Sequence, residues 1–343
     1  KQKLDLVAVH QQAGAVVARS PDPNALLAFL GDKMFLFSGS GRSFIMFGVR
    51  GRSWIALGNP VGPEEEWNTL LLEFRDVCDR YGGIPVFYEI DEEHAAMYRD
   101  LGLSLFKFGE EAWVRVHEYT LEGGERSGFR HTINQMRRHG WVFEVVESEK
   151  VPECIPELKK ISDEWLARKG SGEKGFSLGF FNPDYLSVCP IAVLRNGNGI
   201  SAFANILAGS GGDVFSIDVM RYGSNAPHNA MEYLFLQLIL WGKQSGYTWF
   251  NLGMAPLSGL ENDELSPVWD QIGTFIFRHG EHFYNFQGLR AFKEKFGPVW
   301  KPRYLALPGG LALPRVLMNA ASLIKKGARV GAPQRKAPGD PKG

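Results

Sequence analysis

The sequence predicts a mixed α/β sheet of the α+β class, built from one module used twice. Three observations carry that expectation. Residues 34–90 read as three short strands with Gly-rich turns, a Gly-Pro break, a helix, Gly-Gly and a closing strand. Residues 190–253 repeat the order: three strands at hairpin spacing, the turn Gly223-Ser224-Asn225-Ala226-Pro227, an apolar helix, and a last strand in Tyr247–Gly253. Between them, Arg126–His139 reads as a basic amphipathic helix joining the two copies. At 343 residues the chain is long enough for two domains. The expected division is a first domain over 1–125, the joining helix with a second, catalytic domain over 126–326, and a disordered basic tail over 327–343.

The elements follow from spacing. Leu70, Leu71, Phe74 and Val77 recur on one helical face in the first module, and Met231, Leu234, Phe235, Leu238 and Trp241 do so in the second. In the joining helix, Phe129, Ile133 and Met136 form the apolar stripe, while Arg126, Arg130, Arg137 and Arg138 populate the rest. Gly140 stops it before a strand over Trp141–Val146. Residues 151–169 form a helix whose mixed charges suit a solvated surface. After Gly309-Gly310 a last amphipathic helix spans Leu313–Lys326.

Composition excludes several classes. Apolar content of 44% and charged content of 22% describe an ordinary globular protein. Cys78, Cys154 and Cys189 are an odd number with no CxxC spacing, which argues against a disulfide framework or a zinc site. The histidines show no ligand spacing; His10, His94 and His117 read as surface residues, and Cys189 as buried rather than nucleophilic. The densest apolar run, YLFLQLILWG, is broken by Gln237 and is short of the roughly 20 residues a spanning helix needs. The chain starts at Lys1, without Met, and reads as a piece of something longer. Net charge is zero, yet basic residues cluster at 126–143, at 290–303 and beyond Arg315, which suits phosphate-bearing partners.

The strand and helix order resembles the Gcn5-related acetyltransferase (GNAT) fold, so the expected architecture is a tandem pair of GNAT-like domains joined by a basic helix. Acyl-CoA members of that fold hold a pyrophosphate in a Q/R-x-x-G-x-G/A loop. Here RYGSNAP fills the place with Gly223 one residue early and no second glycine, which disfavours coenzyme A. EKGFSLGFF, SAFANI, SIDVMRY, NLGMAPLSGL and LRAFKEKFGPVWKPRYL are similar to a narrower group. They resemble the soluble catalytic domain of the aminoacyl-phosphatidylglycerol synthases, the multiple peptide resistance factors. That resemblance implies transfer of an amino acid, alanine favoured and lysine possible, from aminoacyl-tRNA to the glycerol hydroxyl of phosphatidylglycerol. It also implies lowered membrane charge, resistance to cationic antimicrobial peptides, and a place as the cytoplasmic domain of a bacterial inner-membrane protein whose N-terminal transmembrane domain lies outside this chain. An acetyl-CoA-dependent N-acetyltransferase and a non-catalytic tRNA- or membrane-binding module are the competing readings.

An aminoacyl-tRNA ester is already activated, so the transfer needs no cofactor and no metal. It needs a deprotonated hydroxyl, a stabilised oxyanion and positioned substrates. The resemblance makes Asp218, Arg221 and Lys293 the catalytic candidates, with Tyr185, Ser210 and Glu173 toward substrate. The basic face of Arg126, Arg130, Arg137 and Arg138 is expected to meet tRNA phosphates. Leu313, Leu317, Lys325 and Lys326 are expected to face the membrane. Residues three apart on a strand point to opposite sides unless the strand bends. The resemblance nonetheless makes Asp218 and Arg221 a site rather than a structural brace, so that replacing either should abolish transfer and leave the fold intact.

Overall fold

A computed structural model describes residues 6–170, 172–259, 286–309 and 312–326; the expected tail, 327–343, lies outside them. The first half runs α1 (Leu6–Val17), a 3-10 segment (Pro23–Leu30), β1 (Met34–Phe37), β2 (Phe44–Arg50), β3 (Ser53–Leu57), α2 (Trp67–Arg80), β4 (Ile84–Asp91), α3 (Ala95–Asp100) and β5 (Ser104–Arg115). The second runs α4 (Ser127–Arg138), β6 (Val142–Val146), α5 (Val151–Lys169), α6 (Pro183–Leu186), β7 (Ile191–Asn196), β8 (Gly199–Ala208) and β9 (Val214–Tyr222). It continues with α7 (Ala230–Gln244), β10 (Trp249–Pro256), α8 (Phe286–Glu294), β11 (Val299–Leu307) and α9 (Leu313–Lys326). No helix among the described residues is long and apolar enough to cross a membrane.

The expected mixed sheet is present, and it is continuous. Its order is β1-β2-β3-β4-β11-β5-β10-β9-β8-β7-β6. The halves exchange their last strands: β11 pairs with β4, and β5 pairs with β10, while β5 and β11 also pair with each other. Both β5 and β11 lie deep in the sheet, so neither half closes without the other.

Only β3–β4 and β9–β10 are parallel among the named pairs, and each is bridged by the crossover helix of its half, α2 or α7. These helices bury the stripes expected of them, Leu70, Leu71 and Phe74 in one and Leu234, Phe235 and Leu238 in the other. Pairing of β9 with β10 stops at Ser216–Asn251, and that of β3 with β4 at Leu57–Tyr88. Beyond those points the parallel strands separate. Counted through β11 and β5, β4 and β10 run in opposite directions, so the two halves open toward opposite ends of the sheet.

The last helix corrects one expectation. Leu313 and Leu317 of α9 are 1% and 3% exposed, packed in the core with Val316 and Ala320. Their apolar face docks on the sheet near β2 and β3, and this packing removes it from water. They do not form a membrane-facing stripe. Lys325 is exposed, and the side chain of Lys326 lies outside the described residues.

Candidate active site

A cavity of about 1410 Å³ is lined from both openings, by Leu57 and Gly58 of one and Ser216 and Gly253 of the other. Its lining draws on both halves: Asp22, Glu89, Asp91, Glu111 and Trp113 from the first, Asp218, Met254, Lys293 and Arg303 from the second. The volume exceeds the roughly 300–1,000 Å³ of ordinary small-molecule pockets. Apolar side chains, among them Val16, Leu27, Leu317 and Ile324, cover another part of the wall.

Asp218 reaches this cavity because β9 is bulged. Ala204 pairs with Met220 and Ile206 with Ile217, so Asp218 and Val219 together oppose Asn205. The Asn205 side-chain oxygen accepts both of their N–H groups, at 3.3 and 2.7 Å. The bend brings Asp218 and Arg221 to one face, as a regular strand would not. The two nevertheless have different partners. Asp218 accepts the Gly179 N–H at 2.6 Å and the Tyr185 hydroxyl at 2.7 Å. Burial pushes its carboxyl up, and those two donors with the nearby Lys33 and Arg221 charges pull it back. A Cβ on Gly179 would sit 1.8 Å from the carboxylate, so only glycine permits this approach. Tyr185 is fully buried; burial and the Asp218 charge raise its phenol, keeping it a donor.

Arg221 is held away from the cavity. It pairs with Glu173 at 2.9 Å, donates to the Met220 carbonyl at 3.0 Å, and lies 4.1 Å over the Trp165 ring. Glu173 in turn accepts the Phe181 N–H at 3.1 Å. Neither Arg221, Glu173 nor Tyr185 lines the cavity; all three stand behind Asp218. Ser210 sits on the β8–β9 turn, where its N–H bonds the Ser20 carbonyl at 2.7 Å and pins the cavity's edge.

Lys293 is 4% exposed and donates to the carbonyls of Gly253 and Met254 at 2.9 and 3.0 Å. Burial lowers its ammonium to about 7, against the pull of Glu111 and Glu89. No carboxylate lies within ion-pair distance of it among the described residues. A neutral amine has two N–H donors, and both carbonyls are there to take them. Its lone pair is then left for the cavity.

The sequence reading missed the opposite wall. Glu89 occupies a bulge on β4 with φ of 68°, a left-handed conformation rare for a non-glycine residue. Burial and the Glu111 charge raise its carboxyl to about 8. Glu111 itself is buried; burial would raise it, but Arg303 and bonds from Asn251 and Trp113 hold it low. Asp32 and Lys33 form a buried pair at 2.6 Å, and Asp32 accepts the N–H of Phe176, another left-handed residue, at 2.6 Å. A glutamate on a strand carries no local signal for this. His94 is likewise not free on the surface: it bonds Asp91 at 2.8 Å and packs on Trp67.

The two other surfaces expected from sequence are placed as follows. In α4, Phe129, Ile133 and Met136 are buried as the stripe required. Arg126 turns to the Tyr119 hydroxyl and the Lys295 carbonyl, and Arg130 to the carbonyls of Leu121 and Gly123, whereas Arg137 and Arg138 are exposed. In RYGSNAP, the Gly223 N–H bonds the Ser201 carbonyl, and the Ser224 N–H and hydroxyl bond Glu164 at 3.0 Å. A carboxylate therefore already occupies the donors a pyrophosphate would need.

The family model described as phosphatidylglycerol lysyltransferase, C-terminal, matches residues 15–307. The chain belongs to this family. It is 40% identical over 306 residues to a phosphatidylglycerol lysyltransferase of Bacillus subtilis (strain 168), covering 88% of this chain and 36% of that protein. A Staphylococcus xylosus protein of the same name is 34% identical over 301 residues, with the same coverage. The chain thus spans little more than a third of these relatives. Among solved structures, the C-terminal domain of a putative lysylphosphatidylglycerol synthetase from Agrobacterium fabrum aligns with a TM-score of 0.86 and 42% identity, covering 94% of this chain and 99% of that one. L-PGS from Bacillus licheniformis aligns at 0.84 and 40%, covering 92% and 96%. FemX, 10% identical at a TM-score of 0.53 over 90% and 98% of the chains, shares the fold.

Proposed function

We propose that the chain transfers an amino acid from aminoacyl-tRNA to the glycerol hydroxyl of phosphatidylglycerol, at the cytoplasmic face of a bacterial membrane. The observation that carries the chemistry is Lys293: a buried amine, lowered to about 7, that lines the same cavity as the Asp218 carboxylate held by Gly179 and Tyr185. The neutral amine takes the proton of the lipid hydroxyl as its oxygen attacks the ester carbonyl carbon. The tetrahedral oxyanion collapses, the bond to the ribose oxygen breaks, and that oxygen leaves with the proton Lys293 carried. Asp218 holds the α-ammonium of the amino acid, which its negative charge favours. Arg221 and Glu173 act through Asp218, by fixing the strand it stands on. The chain itself thus supplies the acid and base that one ester-for-ester exchange requires.

The resemblance favoured alanine and left lysine possible, and a lysine side chain asks for a further carboxylate in the pocket. Asp91, Glu92 and Glu93 on the first-half wall supply that charge, and the relatives are named lysyltransferases. We therefore propose lysine. Arg137 and Arg138, free of protein partners among the described residues, meet tRNA phosphates. The apolar cavity wall beside α9 receives the lipid. The test is initial rate with phosphatidylglycerol vesicles and separately charged lysyl- and alanyl-tRNA, with lipid products resolved by chromatography. Lysyl lipid formed faster is the expected result. Preference for alanine would overturn the amino-acid assignment, and acetyl transfer from acetyl-CoA without lipid product would overturn the function.

A further inference from the structure

Beside the cavity, one face of β5, β10 and β11 carries a strip of indoles and cations. Trp113 and Arg115 alternate onto the same face of β5. Trp249 of β10 lies opposite Arg115, and Lys301 of β11 opposite Glu111. The Lys301 ammonium is 3.9 Å from the Trp113 ring centre and 5.3 Å from that of Trp249. Arg115 lies 5.2 Å over Trp249, and the two indoles meet edge to face at 6.1 Å. Trp113 is fixed by its N–H, bonded to Glu111 at 2.9 Å, and Arg303 clamps that same carboxylate. Lys301 is exposed and has no carboxylate within ion-pair distance among the described residues. Desolvation and the neighbouring Arg303 lower its ammonium, as expected of a cation short of a counter-charge. Trp113, Lys301 and Arg303 also line the cavity, so the strip leads from the open surface to the site.

Arg115 also reaches Glu118 at 3.6 Å, an exposed pair, which leaves Lys301 as the cation of the strip without a carboxylate in reach among the described residues. Rigid indoles interleaved with cations fit single-stranded RNA better than duplex, lipid or protein. Bases offer flat faces to stack, and the phosphates between them take the cations. We propose that this strip binds the unpaired 3′ end of the RNA that carries the aminoacyl ester, delivering the ester into the cavity. This rests on the transfer reading above. Without RNA the cations rest on the ring faces, a contact worth about 0.5–1 kcal/mol at exposed sites. A stacked base is worth about 1–3 kcal/mol, so it takes the ring face and the displaced ammonium turns to a phosphate.

The test is equilibrium binding of a labelled, short single-stranded RNA and of a blunt duplex of equal charge to the 343-residue chain. Trp113→Leu should weaken single-strand binding by roughly 5- to 150-fold, the range a lost stacking contact gives, and leave duplex binding unchanged. Trp113→Phe should restore most of the loss. Lys301→Gln, at an exposed position, should weaken binding and flatten its salt dependence even if Trp113→Leu lowers the melting temperature. Unchanged single-strand affinity in Lys301→Gln and in a folded Trp113→Leu would overturn the proposal, as would equal losses for duplex. Single-strand binding through Trp113 in a protein that transfers nothing from aminoacyl-tRNA would leave the strip standing and sink the transfer reading.

Discussion

The openings between β3 and β4 and between β9 and β10 come from one repeated plan, a parallel pair bridged by a helix; burial raises the carboxyl in each, and what counters it differs. In the second half, Asp218 stands on a bulge with an N–H and an O–H aimed at it, and both favour its charged form. In the first half, Glu89 stands on a bulge near Glu111, and both burial and that neighbour favour its neutral form. Behind Glu89, Tyr98 donates to Asn59, Asn59 to Asp91, and Asp91 is also bonded by His94. One repeated topology thus gives two similar clefts, and donors placed by distant loops give them different electrostatics. On the proposed reading, the second cleft does the chemistry and the first receives the side chain.

The largest effect expected is at Lys293. Lys293→Met should lower the transfer rate on the order of 10²–10⁴-fold, as loss of a general base does. In the wild type, the rate should rise with pH through about 7 as the amine loses its proton. That limb should vanish in the variant. A surviving limb of unchanged midpoint would assign it to another group.

Next comes the pair behind Asp218. Glu173→Gln leaves the Arg221 guanidinium buried and unpaired, a loss that typically costs about 3–5 kcal/mol. Melting temperature and activity should fall together in Glu173→Gln and in Arg221→Ala. Activity lost at an unchanged melting temperature would instead place Arg221 against a substrate.

Glu89→Gln should have the smallest effect on rate at pH 7, because the carboxyl is already mostly protonated there. Its signature is in stability. The raised folded-state pKa means that the folded form binds the extra proton between about 4.5 and about 8, so the wild type loses stability as pH rises through that window. The variant should lose none of it and melt higher than the wild type at pH 9. Equal melting curves at pH 9 would mean that Glu89 is ionised and relaxed in the folded protein.

The amphipathic helices, the strands of each module and the exposed arginines of α4 were legible from spacing, because periodicity is a local property. Asp218 and Lys293 were legible only through the resemblance of their motifs. The bulge that turns Asp218 toward the cavity depends on Asn205, a partner thirteen residues earlier whose register no local pattern fixes. The insertion of β11 beside β4 is a pairing across more than 200 residues. For Leu313 and Leu317, the pattern showed an apolar face but not whether lipid or the sheet covers it. Glu89 was invisible because its chemistry comes from a backbone angle and a neighbour on another strand.

The most direct measurement is single-turnover lysyl transfer from lysyl-tRNA to phosphatidylglycerol vesicles by Asp218→Asn, with its melting curve recorded alongside. Asparagine keeps the volume and the bond to the Gly179 N–H but removes the charge that would hold the α-ammonium. The expected result is a wild-type melting temperature with transfer reduced on the order of 10²-fold or more. Transfer at the wild-type rate in a folded Asp218→Asn protein would contradict the assignment of this carboxylate to the reaction.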